Sequence, residues 1–207
     1  MFTVRAYEKE DLKECMQCLY KAFFKCDVGD NDKQFLQDYT QVLIEKNNFT
    51  YVAEIEGIVV GFICGTFQKK FDKALAKQFD NTQHLGFFIK FILKYILKRY
   101  HLSKDFVEAF QILFAKIGEY KKLPIGKCDC ELVALASRRD YRKGLGTVLV
   151  NRLIERCNKN YAKSIRLFTN TAFTYTFYEK YGFHLLREKD YVIYENTGKS
   201  FVYEINL

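Results

Sequence analysis

The residues that decide the fold are 128–147, CDCELVALASRRDYRKGLGT. They open with a largely apolar run, Cys128 to Ala136, which is typical of a strand buried in the centre of a sheet. Gly144 and Gly146 follow in a basic turn, and residues 145–158 then repeat apolar side chains at helical spacing. The stretch therefore predicts a buried strand, a glycine-containing turn and a helix, in that order.

The turn from Arg142 to Thr147 has the physical form of a phosphate-binding site. Glycine lets the backbone approach a ligand closely, and the start of a helix directs unpaired N–H groups and a positive dipole end outward. Arg142 and Lys143 add positive charge. The pattern predicts an anion site, but Leu149 stands where a dinucleotide fingerprint needs its third glycine, and a Gly-x-Gly also occurs at close packing contacts.

The elements on both sides of this stretch predict an α/β fold with a mixed sheet. Upstream, we expect strands at Thr3–Tyr7, Thr50–Ile55 and Ile58–Phe67, the last two forming a hairpin, and helices at Asp11–Lys25 and Asp32–Glu45. Downstream, we expect a strand at Ser164–Thr169, a helix at Thr171–Tyr181, and an antiparallel pair formed by Tyr191–Tyr194 and Phe201–Ile205.

A helical insertion is predicted between these halves, at about residues 68–123. Within it, Phe87–Tyr100 carries Lys90, Lys94 and Lys98 as one stripe beside a wide apolar face. This segment is shorter than the roughly 20 residues that span a bilayer. A membrane-surface helix is one alternative. We favour a helix packed on the domain with its lysines in water, because Phe106–Ile117 is available to pack on it.

The composition limits the class of protein. A chain of 207 residues predicts one domain, 1–207, and the absence of a signal sequence predicts the cytoplasm. Seven Cys, an odd number, favour reduced thiols, and neither a metal cluster nor a transmembrane segment is expected. The formal charge of +8 favours an anionic partner. No recognition-helix or stacking motif is present, so nucleic acid is not expected to be that partner.

A second motif lies downstream, at Phe177-Tyr178 and Gly182-Phe183. The order of a strand, a basic Gly-x-Gly turn, an amphipathic helix, a strand and then this motif closely resembles the GNAT superfamily of N-acetyltransferases. The resemblance is most specific from Glu131 to Phe183. It implies an α/β fold with a mostly antiparallel central sheet flanked by helices, and acetyl-CoA as co-substrate.

The resemblance also implies where the coenzyme binds. In the family, a bulge splays the strand before the turn and frees backbone groups for the pantetheine arm. The residues implied for the arm are Leu135, Ala136, Ser137 and, at the end of the next strand, Asn170. Those implied for the turn are Arg142, Lys143, Gly144, Leu145, Gly146 and Thr147. The family has Arg or Gln three places before the first glycine, where this chain has Tyr141.

The chemistry that the family implies is direct transfer of an acetyl group to a primary amine. Tyr178 matches the general acid, although a tyrosine there can also serve only core packing. Glu131 lies on the strand where many members keep a carboxylate base, and a solvated or structural carboxylate is the alternative. The acceptor is expected to be a small-molecule or peptide amine, bound by segments within 24–39 and 71–114. A coenzyme-A-binding sensor or interaction module without catalysis is the alternative function, and a homodimer is left open.

Overall fold

The computed structural model describes residues 2–24, 29–68, 85–113, 127–141, 144–193 and 195–207. The strands are β1 (Thr3–Ala6), β2 (Phe49–Ile55), β3 (Ile58–Phe67), β4 (Cys130–Ser137), β5 (Ser164–Asn170), β6 (His184–Ile193) and β7 (Asn196–Asn206). The α-helices are α1 (Leu12–Phe23), α2 (Asp30–Glu45), α3 (Leu85–Ile96), α4 (Lys104–Leu113), α5 (Leu145–Lys159) and α6 (Thr176–Tyr181).

The seven strands form one sheet in the order β1-β2-β3-β4-β5-β7-β6. Every neighbouring pair is antiparallel except β4 and β5, which run parallel. The predicted fold class, a mixed and mostly antiparallel sheet flanked by helices, is confirmed.

The predicted hairpin between β2 and β3 is present. Its two turn residues have positive φ angles, 51° at Glu56 and 78° at Gly57. Two-residue loops of this kind match the right-handed twist of the strands that they join, and a glycine at the second position relieves the strain. The short turn fixes the register between β2 and β3.

Helices cover both faces of the sheet. On one face α5 buries its apolar stripe, including Leu145, Leu149 and Leu153, against the central strands. On the other face α1 and α2 pack on the sheet, and Phe35 of α2 lies at the centre of a cluster of rings. The aromatic residues in direct contact with the Phe35 ring are Tyr39, Phe91, Tyr95, Tyr100, Phe106 and Phe110.

Two helices of the predicted insertion, α3 and α4, pack on α2 through this cluster. The helix predicted at Phe87–Tyr100 ends at Ile96, because Lys98 and His101 take left-handed backbone angles in the following turn. The helix predicted at Phe106–Ile117 begins at Lys104, and its residues 114–117, like the predicted segment Phe71–Phe79, lie outside the described residues. Within the described ranges, no helix is both long and apolar enough to cross a bilayer.

Hydrogen bonds from two aspartates also join the insertion to α2. Asp38 accepts hydrogen bonds from the Tyr100 hydroxyl at 2.7 Å and from Lys94 Nζ at 2.8 Å. Asp32 accepts hydrogen bonds from the backbone N–H and the hydroxyl of Ser103, the residue before α4. The prediction that the lysine stripe lies in water is therefore wrong for Lys94, because Lys94 forms an ion pair with the buried Asp38.

The last two strands are longer than predicted. The β6 strand covers His184–Ile193 and β7 covers Asn196–Asn206. Most of β6 is exposed and carries charged residues such as Arg187 and Lys189, which mask its alternation. Charged side chains are typical of an edge strand, because they discourage pairing with another chain.

Candidate functional site

The parallel strands β4 and β5 separate part way along their length. Both strands are fully described, and within them β4 pairs with β5 only through Cys130, Glu131 and Leu132. Each strand continues beyond this pairing, β4 to Ser137 and β5 to Asn170. Beyond Leu132, the N–H and C=O groups on that side of β4 therefore have no strand partner. Such groups are strong hydrogen-bonding sites for an extended ligand.

A bulge in β4 lies at the point of separation. The register with β3 pairs Cys64 with Ala134 and Gly65 with Leu132, so Val133 is the extra residue. Val133 and Ala134 both contact the core on the α1 and α2 face, whereas Leu132 and Leu135 contact the other core. The bulge that the resemblance implies is confirmed, and it bends β4 away from β5.

A cavity of about 630 Å³ occupies the opening between the two strands. Its floor includes Leu132, Val133 and Leu135 of β4 and Phe168 and Thr169 of β5. This volume lies within the range of roughly 300–1,000 Å³ that is typical of small-molecule sites. The separated strands therefore create a ligand-sized space in the middle of the sheet.

The first turn of α5 borders one end of the cavity, through Gly144, Gly146 and Thr147. Val148 N–H donates to the carbonyl of Gly144 and closes the first helical turn. The N–H groups of residues 145–147 precede that bond, so they have no acceptor within the helix. Together with the helix dipole, these groups favour an anion at this end of the cavity.

The two glycines of the turn serve different purposes. Gly144 has a φ of +78°, and a Cβ atom built there would meet open space, so its glycine is required by backbone conformation. At Gly146 a Cβ atom would lie 3.0 Å from Cζ of Phe177, so its glycine is required by close packing with α6. The alternative interpretation of the Gly-x-Gly, a packing contact, therefore fits Gly146. Gly144 instead leaves open space beside the start of α5.

The short helix α6 carries Tyr178 to the cavity. Its C-cap, Gly182, has a φ of 115°, and the carbonyl of Tyr178 accepts hydrogen bonds from the N–H groups of Gly182 and Phe183. This left-handed helix end is a common stop signal, and it confirms the predicted end at Gly182. The helix begins at Thr176, later than the predicted Thr171, because the Asn170 side chain organises the preceding residues as a turn.

The Tyr178 ring packs edge-on against Phe177 and Phe183, with ring centroids 5.2 Å and 5.8 Å away. The ring also lines the cavity. Partial burial of the phenol raises the pKa of Tyr178 above the ordinary value of 10.0. The hydroxyl is therefore protonated at neutral pH, which is the state that a proton donor requires.

Glu131 does not itself line this cavity. Its carboxylate accepts a hydrogen bond of 3.4 Å from Nε2 of Gln68, the residue that follows β3. The next two residues of β4, Leu132 and Val133, line the cavity, whereas Glu131 is not among the described lining residues. The structure therefore does not bring the predicted base together with Tyr178.

Asn170 is buried at the end of β5 and joins three segments. Its Nδ2 donates to the carbonyl of Ile112 in the last turn of α4, and its Oδ1 accepts from the N–H of Ala172. One further N–H and one lone pair of the carboxamide remain for other partners. Asn170 thus links the insertion to the turn that precedes Tyr178, and its implied contact with the pantetheine arm stays a prediction.

The other predicted site residues divide into three groups. Leu135 and Ser137 line the cavity, together with the residues of the α5 turn already described. Leu145 is buried, so only its backbone groups are available to a ligand. Ala136 is buried in the other core, and the bond from Arg138 N–H to the Val60 carbonyl sets a register in which the Ala136 backbone groups face Phe62 of β3. Arg142 and Lys143 lie outside the described residues.

The sequence interpretation missed one cation and most of the opposite wall. Among the described lining residues Arg139 carries the positive charge, two residues after β4. Its position just after the end of β4 is a sequence signal for a residue near the site, as is the position of the two cations next to the glycines. The opposite wall consists of Leu19, Ala22, Phe23, Tyr39 and Leu43, and of Phe173 after β5. Only Tyr39 lies in the segments predicted for the acceptor.

The fold was compared with known proteins. No family model matches the chain. No curated protein sequence matches it. Solved structures do match over the whole chain, at identities that establish similarity of fold alone.

Three such structures illustrate the similarity. An N-acetyltransferase from Staphylococcus aureus Mu50 has a TM-score of 0.59 at 13% identity, covering 100% of this chain and 98% of its own. The ribosomal-protein-S18-alanine N-acetyltransferase from Escherichia coli has a TM-score of 0.56 at 14% identity, covering 100% and 94%. Arabidopsis thaliana NAA60, in complex with a bisubstrate analogue, has a TM-score of 0.56 at 13% identity, covering 100% and 98%.

Structures named as members of the GNAT family are among these matches, including one from Desulfovibrio desulfuricans at a TM-score of 0.58. The chain therefore has the GNAT fold, as the motifs in its sequence predicted.

Proposed function

We propose that the protein is an acetyl-CoA-dependent N-acetyltransferase that acts on a primary amine. The observation that carries the proposal is the separation of β4 from β5 in front of the α5 N-terminus, with a tyrosine on the same cavity. Unpaired strand groups fit the amides of a pantetheine arm, and the helix end fits a pyrophosphate. The fold shared with several N-acetyltransferases supports the same proposal.

The coenzyme would lie along β4 and end at α5. Free backbone groups of Leu135 and Ser137, on either side of Ala136, would bind the arm, and those of Gly144 to Thr147 would bind the pyrophosphate. The open space beside Gly144 leaves room for that group. Arg139, Arg142 and Lys143 would add positive charge, although the backbone donors carry most of the binding in such a cradle.

Transfer needs three things from the protein. The amine nitrogen forms a bond to the thioester carbonyl carbon and loses a proton, the oxygen charge needs a donor, and the sulfur leaves as the C–S bond breaks. Tyr178 would donate its proton to that sulfur. Because Glu131 lies outside the described cavity lining, we propose that it takes the amine proton through a water molecule.

The amine is proposed to belong to a small molecule or a peptide. The name of one neighbour supports a peptide, since it is a ribosomal-protein-S18-alanine N-acetyltransferase. The described cysteines are free thiols, which supports the cytoplasm as the proposed compartment.

A coenzyme-A-binding module without catalysis is the second candidate. Two observations favour it: Tyr141 replaces the family's Arg or Gln before the turn, and the described cavity lining contains no carboxylate. Binding without transfer is the result that distinguishes this candidate.

The test is a thiol-release assay with acetyl-CoA across polyamines, amino acids, aminoglycosides and peptides. We expect release that depends on at least one amine, above a control that contains enzyme and acetyl-CoA alone. Calorimetric titration of acetyl-CoA accompanies the assay. Binding with no amine-dependent release across the panel would favour the binding module, and absence of binding would remove both functions.

A further inference from the structure

The helix α3 has a second apolar face that the described part of the chain leaves exposed. Ile89, Leu93, Ile96 and Leu97 form one strip along this face, with exposed fractions of 48%, 50%, 65% and 59%. The opposite side, which includes Phe88 and Phe91, packs in the ring-rich core beside α2. Packing on the protein therefore explains only one side of this helix, and we name the other side the α3 strip.

Exposed cations lie beside the α3 strip. Lys90, Lys98 and Arg99 are all exposed. Residues 85–104 contain five Lys or Arg and neither Asp nor Glu. Two of the five, Lys94 and Lys104, form ion pairs with Asp38 and Glu108 from outside this segment. The surface thus combines aliphatic side chains with positive charge, and acidic side chains from its own segment do not neutralise that charge.

We propose that the α3 strip and its neighbouring cations dock on the surface of an anionic lipid bilayer. Aliphatic side chains of such a helix enter the boundary between headgroups and acyl chains, while Lys and Arg contact the anionic headgroups. A helix of 12 residues is about 18 Å long, so it lies along the surface and does not span it.

The charge of the surface favours a bilayer over a second copy of the chain. A two-fold dimer would place the same patch of both subunits together, and their cations would repel each other. An anionic bilayer offers complementary charge to the cations and an apolar layer to the α3 strip. The proposal is independent of acetyl transfer, since the α3 strip faces away from the core that contacts the cavity.

The experiment is flotation of the purified full chain with vesicles. We expect flotation with vesicles of phosphatidylcholine mixed with phosphatidylglycerol, little with phosphatidylcholine alone, and a decrease in high salt because salt screens the cations. Exchanging Lys90→Glu and Arg99→Glu together should reduce the partition coefficient on the order of ten-fold or more. A control with Lys13→Glu and Lys159→Glu, which lowers the net charge equally at sites elsewhere, should retain binding.

A second pair of variants tests the apolar part. Ile96→Ser with Leu97→Ser should also reduce flotation on the order of ten-fold, whereas Val192→Ser, at a residue 70% exposed on β6, should not. Circular dichroism of each variant checks that it folds. Absence of flotation with anionic vesicles would overturn the proposal. An equal loss of flotation in the Lys90/Arg99 variant and in the Lys13/Lys159 control would overturn it too. Self-association that the serine variants abolish, without lipid binding, would instead assign the α3 strip to a dimer.

Discussion

The two ends of the cavity are built from different parts of the chain. At the end next to α5, the wall consists of β4 backbone and the turn at Gly144, all within a short stretch of sequence. At the other end, side chains from α1, α2 and the segment after β5 form the wall. The first end offers main-chain donors to an anion, and the second offers apolar rings.

The described helices of the insertion meet the second end of the cavity through Tyr39. Tyr39 lines the cavity and contacts Phe91 of α3 and Phe110 of α4. Phe23 lines it too and packs edge-on against Phe173, with centroids 4.9 Å apart. We therefore expect changes near α5 to alter coenzyme binding and changes in the ring cluster to alter acceptor use. The predictions below test this division, beginning with the residue between the two ends.

Exchanging Tyr178→Phe should have the largest effect. Loss of the proton donor is expected to lower turnover by a factor of about 10²–10⁴. The ring packing stays, so the dissociation constant of acetyl-CoA should change little. Steady-state kinetics with the amine found in the panel, together with calorimetry, measures both quantities. Unchanged turnover would remove Tyr178 from the mechanism.

Exchanging Phe35→Ala should affect the acceptor end. Deletion of a fully buried ring typically costs about 3–5 kcal/mol of the free energy of unfolding, which chemical denaturation measures. Because the cavity residue Tyr39 stacks on this ring, the KM for the amine should rise. Phe35→Leu, which keeps more volume, should show a smaller change in the same direction. A loss of acetyl-CoA affinity with unchanged amine KM would contradict the division between the two ends.

Exchanging Asn170→Ala should loosen the link between α4 and the turn before α6. Leaving the partly buried Ile112 carbonyl without its donor is expected to cost on the order of 1 kcal/mol of unfolding free energy. If the residue mainly joins the insertion to the sheet, acetyl-CoA affinity remains near that of the wild type. A loss of affinity larger than the change in stability would instead support the contact with the pantetheine arm that the family implies.

Exchanging Gly144→Ala has a similarly small expected cost in stability, about 1–2 kcal/mol for a side chain in the left-handed region. Relief of this strain would shift the turn and weaken acetyl-CoA binding on the order of ten-fold. Gly57 is a matched control, because it has the same φ of +78° and equally open space. Gly57→Ala should lose similar stability and keep full affinity. Equal affinity in the two variants would show that the turn does not hold the coenzyme.

The strand, turn and helix at the proposed coenzyme end were largely predictable because their information is local. A buried strand, two glycines and a helical repeat follow one another in the sequence, and the backbone supplies the donors whatever the neighbouring side chains are. The bulge at Val133 could not be read from its apolar run, since the extra residue becomes visible only against the register of β3. It entered the prediction through the family resemblance alone.

The acceptor end could not be predicted in the same detail because its contacts join distant segments. Nothing in the sequence near Asn170 indicates that its carboxamide reaches Ile112. Likewise, the spacing of the lysines in α3 does not show that Lys94 meets Asp38. Glu131 was predicted from its place on β4. That place alone does not show on which face of the sheet its side chain lies, and so whether it lines the cavity.

The most direct test of the central claim is a crystal structure of the protein with coenzyme A. We expect the pantetheine arm between β4 and β5, with its amides bonded to β4 backbone beyond Val133, and the pyrophosphate at the first turn of α5 beside Gly144. A coenzyme bound elsewhere, or an empty cavity in crystals grown with saturating coenzyme, would contradict this expectation.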